Sequence, residues 1–168
     1  MSSRPAIPAP PAAAGVRPWL GLAGWLALCA AVAVFGALLN KGGWVATLHQ
    51  PAWHPPAWVF APVWTVLYAT MALAAWLGWR RGGFAMQQAP LAFFLVQLFF
   101  NALWSPLFFG LHHPLLALLD IVFLWFALAA TIVSFRWVDL LATYLLLPYL
   151  AWVSFAAVLN GAICWLNR

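Results

Sequence analysis

Long apolar stretches separated by short breaks dominate the sequence. Five of them are long enough for a membrane-spanning helix, which takes about 20 apolar residues. These stretches cover residues 19–39, 58–79, 90–111, 115–135 and 140–165. Prolines, glycines and histidines form the breaks, because no charged residue lies in residues 42–79 or 82–119. Each break falls where a helix would reach the membrane surface.

A β-barrel also satisfies backbone polar groups in lipid, but it needs segments of about 10 residues in which apolar and polar positions alternate. Residues 115–119 read Leu-Leu-Ala-Leu-Leu and do not alternate. The sequence therefore predicts an all-α membrane protein, a bundle of five transmembrane helices over residues 19–168. Residues 1–18 contain five prolines and six alanines or glycines, which predicts a disordered tail.

The composition agrees with a lipid environment. The chain is 67% hydrophobic and only 5% charged, whereas soluble domains carry about 25% charged residues. The net charge of +5 comes from cations scattered at the ends of the spans, and this argues against nucleic-acid binding. Because five spans use nearly all of the 168 residues, no room is left for a soluble catalytic domain.

The cations also predict the orientation of the chain. We call the side of the membrane that holds the N-terminus side A, and the opposite side B. The cations on side A are Arg4, Arg17, Arg80, Arg81 and Arg136, and those on side B are Lys41 and Arg168. Since cytoplasmic loops carry an excess of Lys and Arg, side A is predicted to be the cytoplasmic side, from which the chain inserts.

Polar side chains inside the third span share one helical face. Gln97 lies four residues before Asn101, and Trp104 follows Asn101 at a spacing of three. This face must point into the bundle, because a buried amide without a partner costs on the order of a few kcal/mol. For Gln97 we favour hydrogen bonding between helices, whereas for Asn101 that role and contact with a polar ligand stay open. Further polar and aromatic positions inside the spans are Trp64, Thr65, Tyr68, Ser105, Trp152, Ser154 and Asn160.

Few titratable groups lie inside the spans. Asp120 is about two turns into the fourth span, and an intramembrane carboxylate is a functional candidate by default. We favour a structural role, in which Asp120 stays hydrated or pairs with His112 or His113. Cys29 and Cys164 fall within spans, no C-x-x-C motif occurs, and the histidines lie outside the span centres. Neither a disulfide nor a metal site is predicted.

The longest connection covers residues 41–62 and is rich in Trp, Pro, Gly and His. Connections of this length in a compact bundle are usually lids or binding loops. Prolines fix the backbone, so Trp53-His54-Pro55-Pro56 is predicted to form a stiff turn over one mouth of the bundle. The alternative is a surface loop that its tryptophans anchor in the membrane boundary without any ligand.

Several of these positions, in the same order, resemble the TspO/MBR family, which comprises tryptophan-rich sensory proteins and translocator proteins and is also called the peripheral benzodiazepine receptor family. The resemblance covers nearly everything after the N-terminal tail. The residues that carry it include Gly36-Ala37-Leu38-Leu39, Trp44, Pro51, Trp53, Pro55-Pro56, Trp58-Val59-Phe60, Pro62, Trp64-Thr65, Leu67-Tyr68, Gln97-Leu98, Phe100-Asn101, Trp104-Ser105-Pro106, Phe108-Phe109-Gly110, Asp120, Pro148-Tyr149-Leu150, Trp152 and Leu159-Asn160.

The resemblance implies a five-helix membrane bundle, commonly a homodimer, that binds tetrapyrroles such as protoporphyrin IX and haem. Some members of the family also bind cholesterol and benzodiazepine-type ligands. No further cofactor is implied, and no histidine lies mid-span to hold haem iron, so metal-free porphyrin fits better. Carried over position by position, the ligand-binding residues would be Trp44, Trp53, Trp64, Tyr68, Asn101, Trp104 and Trp152.

The chain departs from the family pattern at three points. Val45 replaces a common tyrosine and Gln50 a common lysine, so a hydroxyl and a charge that could meet a propionate are missing. Neither Tyr144 nor Tyr149 is followed within five residues by Lys or Arg, so the cholesterol-recognition pattern is absent and poor sterol binding by that route is predicted.

Three functions remain from the sequence. The leading one is a tetrapyrrole-binding membrane protein that acts as sensor, carrier or regulator of porphyrin. The second is a light-dependent porphyrin-degrading enzyme, since some family members are reported to degrade porphyrin, and Trp44 and Trp152 would then be its redox-active catalytic indoles. The third is a membrane adaptor without a ligand pocket, in which the tryptophans serve only as anchors.

Overall fold

A computed structural model of the protein describes residues 18–40 and 43–168. The predicted tail therefore lies outside the described residues except for Pro18, as do Arg4, Arg17 and Lys41. The described residues form six α-helices: α1 (Pro18–Leu39), α2 (Ala57–Trp79), α3 (Gly83–Met86), α4 (Gln88–Ser105), α5 (Pro114–Phe135) and α6 (Leu140–Leu166). A 3-10 turn covers Val45–Thr47, and a π-helical turn, Pro106–Gly110, prolongs α4. No strand occurs among the described residues, so the all-α prediction is confirmed.

Five of these helices are long and apolar enough to cross a membrane, and they correspond to the five predicted spans. The third span combines α4 with the π-helical turn and runs over Gln88–Gly110. Each boundary lies within two residues of its predicted place. Proline explains the start of α5, because Pro114 occupies the first turn, where a backbone N–H would have no helical acceptor.

The spanning helices pack in the order α1, α2, α6, α5 and α4, and α4 closes the ring against α1. Tyr149, Phe94 and Phe135 are among the largest fully buried side chains. Large apolar side chains also cover the outside, as at Phe99 and Phe126, which suits a surface that faces lipid.

Glycines bring α1 close to its neighbours. A Cβ atom on Gly21 would overlap the ring of Trp79, so the α2 indole rests directly on the α1 backbone. A Cβ atom on Gly36 would lie 2.9 Å from Oγ of Ser105 on the α4 side. Gly24, one turn after Gly21, has open space around it. Small residues allow such close helix contacts inside membranes.

An ion pair joins the two connections at the side A end of the bundle. Nη2 of Arg81 donates to Oδ2 of Asp139 at 2.9 Å. The other carboxylate oxygen caps α6 by accepting from the backbone N–H groups of Leu141 and Ala142. Burial works to raise the pKa of Asp139, but these hydrogen bonds and the Arg81 charge hold that pKa below its ordinary value.

Asp139 is therefore expected to stabilise the fold twice, as a cap and as an ion-pair partner. Asp139→Ala should lower the free energy of unfolding by about 0.5–2 kcal/mol, the usual worth of a helix cap. Asp139→Asn keeps the cap, so its free energy of unfolding should lie between that of Asp139→Ala and that of the natural protein. Thermal unfolding in detergent measures both changes.

The contribution of Asp139 is also expected to depend on pH. Because its pKa is lowered in the folded state, the stabilisation is present above about pH 4, the ordinary range of Asp, and is lost as the pH falls through the lowered pKa. On acidification, the melting temperature of Asp139→Asn should accordingly fall less than that of the natural protein. An equal fall in both proteins would contradict this role of the carboxylate.

Candidate functional site

The side-chain amide of Asn101 connects three helices. The hydroxyl of Tyr68 on α2 donates to Oδ1 of Asn101 at 2.5 Å, and Nδ2 of Asn101 donates to the hydroxyl of Tyr149 on α6 at 2.7 Å. Asn101 is buried and Tyr149 is fully enclosed. Both ends of the amide are thus engaged inside the protein. We call this arrangement the amide bridge.

Aromatic rings continue from the amide bridge towards side B. The ring of Trp64 lies 5.4 Å from Tyr68 and 6.5 Å, nearly perpendicular, from Trp152. The ring of Phe155 lies 5.4 Å from Trp152 and 6.0 Å from Trp53 in the long loop. These contacts place five of the seven predicted ligand-binding residues in one continuous cluster. We call it the inner group, which consists of Trp53, Trp64, Tyr68, Asn101 and Trp152.

The other two predicted residues, Trp44 and Trp104, share ring contacts of their own, and we call them the outer group. Trp104 also packs on the core that Trp64 and Trp152 contact. The ring of Phe108 stacks on Trp104 at 4.8 Å and meets Trp44 edge-on at 5.3 Å. The imidazole of His112 stacks on the other side of this cluster, 4.5 Å from Trp44. A cavity of about 410 Å³ opens between Trp44, the end of α1 and the end of the π-helical turn. Ring contacts thus divide the seven predicted residues into two groups, and their binding of one ligand stays a prediction.

The long loop lies over the side B end of the bundle, as its length and prolines predict. The backbone N–H of His49 donates to Oδ1 of Asn167, and Nδ2 of Asn167 donates back to the carbonyl oxygen of His49, both at 2.9 Å. Trp53 is 49% exposed and rests on Phe155. The loop is thus attached to the last turn of α6 by an amide and to its inner face by an indole.

Polar contacts between helices lie mainly around α6. With its amide oriented to satisfy both neighbours, Asn160 donates to the carbonyl oxygen of Pro114 and accepts from the N–H of Leu118, each at 3.1 Å. The indole N–H of Trp125 donates to Oγ of Ser154 at 2.9 Å. These bonds join α5 to α6 and use polar groups that would otherwise be unpaired in lipid.

Two expectations for buried polar groups are wrong. The carboxylate oxygens of Asp120 are buried and have no hydrogen-bond partner among the described residues, so Asp120 pairs with neither His112 nor His113. The imidazole of His112 stacks on Trp44 instead. The side-chain amide of Gln97 is also fully buried without a partner in the described chain, and it does not join helices as expected.

Sequence reasoning did not assign three residues to the site, although they help to build it. Tyr149 completes the amide bridge, and its position three residues before Trp152 could have indicated the same α6 face. Phe155 carries the contact with the loop, again at a spacing of three from Trp152. Asn167 gave no signal, because a single Asn at a helix end is common.

Candidate metal ligands do not converge in the part of the chain that the structure describes. No group of three or more His, Cys, Asp or Glu side chains could hold a metal ion there. Cys29 is buried, Cys164 is half-buried, and both are free thiols.

The family is decided by comparison with known sequences. The sequence model of the TspO/MBR family matches residues 25–166. The chain belongs to the TspO/MBR family. Because five of its helices are suited to crossing a bilayer, this TspO/MBR protein is an integral membrane protein.

Relatives from bacteria and animals align with most of the chain. The tryptophan-rich protein TspO of Chlorobaculum tepidum is 42% identical over 155 residues, which are 88% of this chain and 96% of that protein. The tryptophan-rich sensory protein of Cereibacter sphaeroides is 40% identical over 149 residues, which are 89% of this chain and 92% of that protein. The translocator protein of Homo sapiens is 43% identical over 122 residues, which are 71% of this chain and 72% of that protein.

The amide bridge predicts the effect of removing Asn101. Asn101→Leu should lower the free energy of unfolding by about 1–3 kcal/mol, because it leaves the hydroxyls of Tyr68 and Tyr149 without their partner. Thr65→Val is the matched control, since the Thr65 hydroxyl bonds only to Ala61 of its own helix. Unfolding in detergent at neutral pH measures both. A Leu variant as stable as the control would show that the bridge contributes nothing.

Proposed function

We propose that this TspO/MBR protein binds tetrapyrroles, with protoporphyrin IX as the first candidate, and acts as a sensor, carrier or regulator of porphyrin. The observation that carries the proposal is the inner group, in which indoles from the loop, α2 and α6 form one aromatic cluster at the side B end. Flat aromatic faces stack well on a flat macrocycle, and ligand sites in helix bundles lie between the helices.

The loop is the element that would admit such a ligand. The rings of the inner group touch one another, so a macrocycle needs some of them to move aside. Trp53 is the most exposed of the group and belongs to the loop, which Asn167 and Phe155 hold down. Raising the loop separates Trp53 from Phe155 and opens the faces of Trp152 and Trp64 towards side B.

The amide bridge serves as the floor of this site in our proposal. The Asn101 amide is already engaged by two tyrosines, so it supports the cluster instead of meeting the ligand directly. The indole N–H groups of Trp64 and Trp152 are then the donors that could meet a propionate.

Haem iron fits the inner group less well than metal-free porphyrin. The inner group contains no imidazole that could serve as an axial ligand. The nearest histidine by ring contacts is His54, whose ring lies 5.7 Å from Phe60, which in turn lies 5.8 Å from Trp152. His54 is thus at the rim of the cluster, and the proposal is restricted to the porphyrin macrocycle.

Binding is favoured over the two alternatives by the positions of the tryptophans. Light-dependent degradation would use Trp44 and Trp152 on one macrocycle, whereas only Trp152 belongs to the inner group. An adaptor without a pocket would place its tryptophans at the lipid boundary, whereas Trp64, Trp104 and Trp152 are half-buried and pack on the core.

Two further expectations remain part of this proposal. We propose that side A is cytoplasmic, since Arg80, Arg81 and Arg136 lie in the connections at that end. We also propose that the protein forms a homodimer, as the family resemblance implies.

The proposal predicts that Trp152 contributes to porphyrin affinity. Titration of the purified protein with protoporphyrin IX should quench its tryptophan fluorescence at saturating ligand. Trp152→Leu should weaken binding about tenfold, which corresponds to the roughly 1.5 kcal/mol of a good aromatic stack. Trp165→Leu is the matched control, because Trp165 is exposed at the end of α6 and outside both groups.

Equal affinities for the two variants and the natural protein would contradict a site in the inner group. Illumination of the complex separates binding from degradation. A Soret band that stays intact agrees with binding alone, and a new absorbing species that disappears in Trp152→Leu would favour the enzymatic alternative.

A further inference from the structure

A second cavity, of about 320 Å³, lies on the outside of the bundle near side A. One wall is a face of α1, and the other walls are Trp79 at the end of α2, Phe84 on α3 and Leu95 on α4. Every side chain that lines it is apolar or is a glycine. The cavity is open along one side, and we call it the α1 groove.

The α1 wall of the groove is one continuous helical face. This face begins at Gly21. It continues with Gly24, Trp25 and Leu28, which lie three, four and seven residues after Gly21. The face extends roughly 10 Å along the helix. Trp25 forms the floor, with its ring 5.4 Å from Phe94. The two glycines make the face concave, and apart from the neighbours of Gly24 in α1 no described residue comes within 4 Å of a Cβ atom placed on it.

A cation flanks the side A end of the groove. Arg80 directly follows Trp79 and is exposed, with its guanidinium 5.1 Å from the ring centre of Trp76.

No carboxylate neutralises Arg80 in the described chain. The sequence has two acidic residues, Asp120 and Asp139. Asp139 is paired with Arg81, and Asp120 is buried in α5. The guanidinium therefore has a full charge to offer a partner at the membrane boundary.

A lipid suits the groove better than a second copy of the chain. Gly21 could allow close contact with a partner helix, but the protein's own Trp79 ring already covers that backbone. A helix with its side chains is about 10 Å wide and does not enter so small a groove. A single acyl chain is narrow and flexible enough to follow it.

We propose that the α1 groove binds one phospholipid of the side A leaflet. Its acyl chain lies between Trp25 and Trp79 and reaches Leu28. Its phosphate meets the guanidinium of Arg80. This inference is independent of tetrapyrrole binding, because the groove shares no residue with the inner or outer group.

Filling the groove tests the acyl-chain part of the proposal. Native mass spectrometry of the purified full chain with added dioleoyl phosphatidylglycerol measures the fraction that keeps one lipid. Gly24→Leu should lower that affinity about tenfold, since each methylene kept out of an apolar site weakens binding severalfold. Gly161→Leu is the matched control, because Gly161 on α6 also has open space around it.

Removing the cation tests the phosphate part. Arg80→Ala should weaken binding of the same lipid about fivefold, the usual effect of one cation near a membrane surface. Arg136→Ala is the matched control, because Arg136 is exposed at the same end with its guanidinium 5.4 Å from Trp137. Dioleoylglycerol, which has the same chains and no phosphate, should bind more weakly and be insensitive to Arg80→Ala.

Three results would overturn the proposal. The first is an equal lipid affinity of Gly24→Leu and Gly161→Leu, which would show that the groove is not the lipid site. Arg80→Ala and Arg136→Ala could have equal effects, which would remove the specific phosphate contact. Gly24→Leu could instead convert a dimer into monomers without changing lipid binding, which would make the groove an interface between copies of the chain.

Discussion

A carboxamide buried in a membrane bundle is costly unless its oxygen and its NH₂ group both find partners, and Asn101 meets this constraint by joining two tyrosines. The resulting bridge fixes the distance between α2, α4 and α6 at one level of the bundle. Trp64 and Trp152 lie next to the bridging tyrosines on α2 and α6, so their rings are positioned by the same bonds. The arrangement of the inner group therefore depends on the amide bridge.

The two ends of the bundle are held by different chemistry. At side A, the Arg81–Asp139 ion pair ties two short connections together, and the exposed charge of Arg80 stays available at the membrane boundary. At side B, ring contacts and the paired bonds between His49 and Asn167 hold a long loop over the aromatic cluster. An element attached by a few contacts at its tip can open without disturbing the helices below it. This difference makes side B the proposed entrance for a ligand and side A a fixed end.

Sequence reasoning predicted those features that depend on periodicity. The spans could be placed because their length and the prolines at their starts mark where helices surface, and the inward face of Asn101 followed from spacings of three and four. Contacts between distant segments could not be predicted. The π-helical turn brings Phe108 into ring contact with both Trp44 and Trp104. The partner of Asn101 on α6, Tyr149, depends on helix packing order, which no local pattern encodes.

A double-mutant cycle between Tyr68 and Tyr149 tests the amide bridge most directly. The free energy of unfolding is measured in detergent for Tyr68→Phe, Tyr149→Phe and the double variant. Both hydroxyls bond to one amide. The loss of unfolding free energy in the double variant should therefore differ from the sum of the two single-variant losses by about 0.5 kcal/mol or more. Losses that add to within about 0.3 kcal/mol would show that the tyrosines act independently and that Asn101 does not couple the helices.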